Sequence, residues 1–93
     1  MANLSFEKIT EQVERICRKY QVEHLYLFGS YATGTATETS DIDFIVKGGR
    51  NPDDLKEEID RIPTLKKIDV FDYDKCTNQY LKEDMDRYGR KIY

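Results

Sequence analysis

The sequence predicts a small α/β (α+β) domain, a mixed three-stranded sheet flanked by about four helices. Three observations carry that prediction. Residues 5–20 repeat apolar side chains at helical spacing. Three short runs, 22–28, 41–47 and 66–73, are rich in β-branched and aromatic residues. Between the second and third runs lies a segment with helix start and stop signals, long enough for a right-handed crossover between parallel strands.

The elements follow in order. In "SFEKITEQVERICRKY", Ser5 suits an N-cap and Glu7 the first turn of a helix. Phe6, Ile9, Val13, Ile16, Cys17 and Tyr20 make its apolar face. "VEHLYLF" reads as a strand ending at Gly29. "GSYATGTATET" is a run of small residues suited to a tight turn and a short helix or irregular loop, with Gly34 enabling a turn. "DIDFIVK" is the second strand, and "GGRN" breaks it. Asn51 and Pro52 are an N-cap and a first-position proline, Leu55, Ile59 and Ile62 the buried face of the helix they start, and Pro63 its end. "KKIDVFDY" is the third strand. A last helix follows, capped by Thr77 or Asn78, with Leu81, Met85 and Tyr88 on one side and Gly89 as its stop. "RKIY" is a candidate short terminal strand. The link from Phe28 to Asp41 need not be parallel, so a mixed sheet is expected.

Composition bounds the function. The 93 residues, 39% hydrophobic and 35% charged, suit one small domain spanning 1–93. A net charge of −3 argues against a broad electrostatic grip on DNA or RNA, but a nucleotide's charge can be met by a metal. Cys17 and Cys76 stand in unrelated contexts, so neither a zinc site nor a disulfide framework is indicated, and Cys17 reads as a small core residue. "MANLSFEKIT" has no apolar leader core, and no run approaches membrane-spanning length, which together suggest a reduced, cytoplasmic protein. The single histidine, His24, is expected to be packed or hydrogen-bonded rather than catalytic. The charge runs "DDLKEE" and "KEDMDR" read as solvated helix faces.

Asp41 and Asp43 sit in an otherwise apolar strand, where carboxylates are costly unless compensated. Strand alternation puts them on one face with Ile45, about 7 Å apart along the backbone, and turns Ile42, Phe44 and Val46 to the other. Two such charges repel and raise one pKa, and a divalent cation between them removes the conflict. Oxygen ligands favour Mg²⁺ or Mn²⁺ over zinc. Asp69, between Ile68 and Val70, can supply a third carboxylate if its strand pairs beside the second. Asp72 has the opposite parity, and Asp69 is preferred because it lies deeper in the apolar run. Gly29 and Ser30 open the turn after the first strand, where backbone N–H groups and a hydroxyl can hold phosphate.

Gly29-Ser30, ten intervening residues, then Asp41-Ile42-Asp43, with Asp69 in an apolar-Asp-apolar setting, resembles the signature of the DNA polymerase β-like nucleotidyltransferase superfamily. The likeness is greatest to the minimal nucleotidyltransferases of bacteria and archaea and spans nearly the whole chain. The resemblance implies the nucleotidyltransferase fold. It implies that Asp41, Asp43 and Asp69 are catalytic and hold two Mg²⁺ ions (or Mn²⁺), and that Asp69 helps deprotonate the attacking hydroxyl. Gly29 and Ser30 would bind a nucleoside triphosphate, with ATP expected and AMP the group expected to move. Many relatives have arginines after Gly-Ser, whereas this chain has Tyr31 and Thr33, which leaves full activity or nucleotide choice open. Lys47 and Arg50 are the nearby cations in sequence.

The resemblance also implies a partner. Minimal nucleotidyltransferases are similar to the antitoxin half of a toxin-antitoxin pair whose other half is a helical HEPN protein, to which AMP would be transferred on a tyrosine. Tyr80, Tyr88 and Tyr93 are candidate interface residues, with half-buried core positions the favoured reading. Two alternatives stand beside it: a non-catalytic or nucleotide-binding antitoxin acting by binding alone, and a small-molecule nucleotidyltransferase that needs a second domain or a homo- or hetero-oligomer to build its acceptor pocket.

Overall fold

The structure is a computed structural model that describes residues 4–93; the first three residues of the N-terminal stretch read for a leader lie outside it. Helix α1 (Phe6–Lys19) leads into β1 (His24–Phe28), a one-turn α2 (Ser30–Thr33) and β2 (Ile42–Lys47). Helix α3 (Pro52–Asp60) crosses to β3 (Ile68–Asp72), and α4 (Gln79–Tyr88) leads to a two-residue β4 (Arg90–Lys91). The sheet runs β3-β2-β1-β4. β2 and β3 are parallel, while β1 is antiparallel to both β2 and β4. The sheet is therefore mixed, as expected, but four-stranded rather than three-stranded. The "RKIY" ending supplies the extra strand by pairing Lys91 with Tyr26 and Arg90 with Leu27.

The helix ends show which local signals operate. Ser5 caps α1 by accepting from the Lys8 N–H at 3.3 Å. Asn78, not Thr77, caps α4, and its Oδ1 accepts from the N–H groups of Tyr80 and Leu81 at 3.0 and 3.2 Å. Asn51 stands at the N-cap of α3 but makes no side-chain cap. Its φ of 50° is left-handed, because Gly48 and Gly49 have already turned the chain back and Arg50 N–H donates to the Tyr20 carbonyl. Asp53 and Asp54 in the first turn complement the dipole instead.

One sheet face is closed. Ile9, Val13 and Cys17 of α1 and Leu55 and Ile59 of α3 cluster with Leu25, Leu27, Ile42, Phe44 and Val46, all buried. Burial pushes the Cys17 thiol up to about 12, which fits an inert core position. Lys19 ties α1 to α3 through Glu58 at 3.0 Å. The opposite face carries Phe28, Asp43, Ile45, Asp69 and Phe71, by alternation from the paired registers. Helix α4 approaches it, and Met85 and Gly89 border a small cavity of about 100 Å³ with Tyr26 and Ile45. That explains a departure on α4: Met85 is buried, but Tyr88 is 50% and Tyr80 83% exposed. Neither is a half-buried core tyrosine. Tyr93 is, since its hydroxyl donates to the Val22 carbonyl at 3.1 Å and its ring packs against the core. Among the described residues, no helix is long and apolar enough to cross a membrane.

Candidate active site

The register of three strands builds the site. Phe28 pairs with Asp43 across the antiparallel ladder, and Asp43 pairs with Asp69 across the parallel one. Paired residues share a face, so Asp43 and Asp69 stand side by side on the open side of the sheet. Asp41 lies just before β2, exposed, two residues upstream of Asp43. Asp72 pairs with Val46, whose side chain is on the closed face. Its Oδ1 accepts from the N–H groups of Asp74 and Lys75 at 3.0 and 3.4 Å, so it caps the turn after β3. Asp69 and Asp72 thus lie on opposite faces, as their parity suggested, and Asp69, favoured for its depth in the apolar run, is the one beside Asp43.

The electrostatics show the three acids acting on one another. Asp43 is pushed up from 3.8 to about 6. Burial is the main cause, followed by the charges of Asp69 and Asp41, and then by a hydrogen bond with the Asp69 side chain. Lys67 opposes the shift and lies 3.8 Å from Asp69 Oδ1. A cluster whose own charges make ionisation costly fits a divalent cation and hard oxygen donors. Among the described residues, no set of three or more His, Cys, Asp or Glu side chains stands as a group that could hold a metal ion. Mg²⁺ seldom needs an all-protein cage, because it is held by one or two carboxylates, with waters and substrate phosphates completing the shell.

Gly29 closes the site from the β1 side. Its φ is +71°, and a Cβ there would run into Asp43 Oδ2. Glycine is required for both reasons, and the turn backbone thereby lies against the carboxylate. Ser30 begins α2, where leading N–H groups have no partner within the helix. Gly34 ends that turn in the left-handed region, as its place in the sequence suggested.

Tyr31 is held by packing. Its ring stacks on Phe6 at 4.6 Å and 10°, which anchors the turn to α1. Thr33 Oγ1 is within 3.4 Å of the Gly29 carbonyl, to which it donates. Lys47 and Arg50 do not serve the carboxylates. Lys47 ends β2 far from Asp41, with its ammonium 4.3 Å over the Tyr73 ring, and Arg50 lies in the loop beyond. His24 starts β1, at the end remote from Asp43, and its buried Nδ1 has no partner among the described residues. Lys67 was not singled out in the sequence. The available signal was its spacing: two residues before Asp69, it shares that residue's parity.

A sheet that gathers acids beside a glycine turn suits phosphoryl-group chemistry, and the relationships of the chain agree. The family described as Polymerase beta, Nucleotidyltransferase matches residues 11–93. Two proteins of Methanocaldococcus jannaschii, each named as a candidate protein adenylyltransferase, are similar to it. One is 37% identical over 75 residues, covering 73% of this chain and 74% of the relative. The other is 38% identical over 72 residues with the same shares, 73% and 74%. The fold is similar to a crystal structure of a toxin-antitoxin with AMP-PNP, at TM-score 0.67 and 21% identity over 89% of this chain and 71% of that one. It is also similar to a Y104A mutant of the toxin-antitoxin MntA-HpeT, at TM-score 0.65 and 22% identity over 98% and 73%. The chain belongs to the polymerase-beta nucleotidyltransferase family. It is an enzyme, a nucleotidyltransferase.

Proposed function

We propose that this chain transfers AMP from ATP to a hydroxyl of a partner protein, and that Asp41, Asp43 and Asp69 are its catalytic residues. One observation supports the reading: Asp43 pairs with Asp69, with Asp41 two residues upstream and Gly29 against Asp43. Protein acceptors are favoured because two relatives are named for protein adenylylation.

Asp41 and Asp43 would hold the Mg²⁺ ions shared with the triphosphate, and Asp69 the ion on the acceptor side. Bound Mg²⁺ supplies charge neutralisation at the α-phosphate and acidifies the attacking hydroxyl. The chain's own part is positional and acid-base. Gly29 and the N–H groups opening α2 orient phosphate oxygens, with the Ser30 hydroxyl as a further donor. The acceptor oxygen bonds to the α-phosphorus as the bond to the bridging oxygen breaks. Pyrophosphate leaves, and the acceptor proton passes to Asp69. Above pH 6 Asp43 is mostly ionised, which its ligand role requires.

The acceptor-bearing partner is expected to be a HEPN-type helical toxin, with this chain as antitoxin. The toxin-antitoxin neighbours support a nucleotide and a partner protein for that fold. A second reading, an antitoxin that works by binding alone, is favoured by Tyr31, whose stack on Phe6 takes the place of a phosphate-facing cation. The two separate when α-labelled ATP, Mg²⁺ and the product of the adjacent gene are incubated with the protein. Label on the partner that is lost with Asp41→Asn and Asp43→Asn supports transfer. Full protection of cells by the double mutant refutes it.

A further inference from the structure

The charge pattern on the open face has a fourth member. Ile42 pairs with Ile68 and Asp43 with Asp69, and the Ile42 N–H donates to the Lys67 carbonyl at 2.9 Å. Continuing that register by one residue sets Asp41 opposite Lys67. The face therefore presents Asp43 beside Asp69 and Asp41 beside Lys67: three acids and one ammonium. Lys67 Nζ lies 3.8 Å from Asp69 Oδ1, while the side chain stays 70% exposed and free to swing. The adjacent Lys66 is engaged elsewhere. It donates to the Glu38 carbonyl at 2.7 Å and sits 5.6 Å over the Tyr31 ring.

We infer that Lys67 is a tethered cation that occupies the carboxylate cluster in the ligand-free protein and turns to the nucleotide's phosphates when divalent ions displace it. This rests on the assignment of the three acids to metal binding. Two features of the chain support it. The cluster already holds one positive charge of its own, at the acid expected to face the acceptor. The turn after Ser30 has no cation among its own residues, since Tyr31 and Thr33 stand there, and Lys66 above Tyr31 is bonded to the Glu38 carbonyl, whereas a flexible lysine beside the cluster can supply one. The consequence is ordered loading. Metal alone must compete with Lys67, while metal arriving on a triphosphate releases the lysine to a new anionic partner.

The two halves of the inference have opposite signs, which a merely structural role would not produce. In Lys67→Met, Mn²⁺ alone, followed by electron paramagnetic resonance, should bind about two- to fivefold tighter, the range an exposed ion pair commands. Mg²⁺ with AMP-PNP, followed by calorimetry, should bind at least about fivefold more weakly, the loss of one charge-assisted phosphate contact. Lys67→Arg should keep both affinities near the parent's, and Lys66→Met should leave Mn²⁺ binding nearly unchanged. Equal or weaker Mn²⁺ binding in Lys67→Met overturns the inference while the site assignment stands. The same gain in Lys66→Met also overturns it, because the effect would then be one of net charge. A parent protein that takes up neither Mn²⁺ nor Mg²⁺ with AMP-PNP overturns the site assignment and this inference with it.

Discussion

Replacing Asp43 with asparagine should stabilise the ligand-free protein at neutral pH while removing its activity. The folded carboxyl is raised from 3.8 to about 6 by burial and by Asp69 and Asp41. Because the folded pKa lies above the unfolded one, the folded state binds more protons between those values. Stability is therefore lost as pH rises through the window from about 4 to about 6. Two pH units at about 1.4 kcal/mol each would amount to about 3 kcal/mol. Water reaches this half-buried group and screens the repulsion, leaving about 1 kcal/mol. Asparagine keeps the shape and the capacity to donate to Asp69 but carries no charge. Thermal melts in EDTA should show Asp43→Asn melting about 4–8 °C above the parent at neutral pH. At about pH 4 most of the gain should be gone, because the parent carboxyl is then protonated when folded. An asparagine variant that is less stable than the parent at neutral pH, or equally shifted at both pH values, would refute the reasoning.

Other outcomes follow from single contacts. Gly29→Ala should lose more than about 1 kcal/mol in denaturant melts, since the residue is at φ +71° and its Cβ meets Asp43, and nucleotidyl transfer should fall with it. Asp72→Ala should lower stability by about 1 kcal/mol through the turn it caps, yet leave nucleotide binding by calorimetry within about twofold of the parent. Tyr31→Ala should lose about 0.5–1.5 kcal/mol with the Phe6 stack and weaken nucleotide binding through a looser Gly29–Gly34 turn. Phe44→Ala, at the centre of the closed face, should cost about 3–5 kcal/mol and leave little folded protein by circular dichroism.

Much of this was legible because it is local. Helical spacing located α1, with Ile9, Val13 and Cys17 as its buried face, and Ser5 capped it as its chemistry predicts. Strand parity put Asp69 and Asp72 on opposite faces, depth in the apolar run favoured Asp69, and the register pairs Asp69 with Asp43. What was not legible depends on pairing at a distance. Two residues, Arg90 and Lys91, become a strand only because β1 has a free edge to offer them. Tyr88 follows Met85 at helical spacing, yet it is exposed because α4 meets the sheet over a small area. Asn51 has the chemistry of a cap, but the glycines before it set a backbone from which its side chain makes no cap. Lys67 joins the acids only once β2 and β3 are known to be parallel and in this register.

The central claim is most directly tested by crystals grown with Mn²⁺ and a non-hydrolysable ATP analogue, examined by anomalous scattering at the manganese edge. The account predicts manganese peaks about 2.0–2.3 Å from carboxylate oxygens of Asp41, Asp43 and Asp69, bridged to the triphosphate, with its phosphates against Gly29 and Ser30. Manganese bound elsewhere, or a nucleotide seated with no ion on those three side chains, would contradict it.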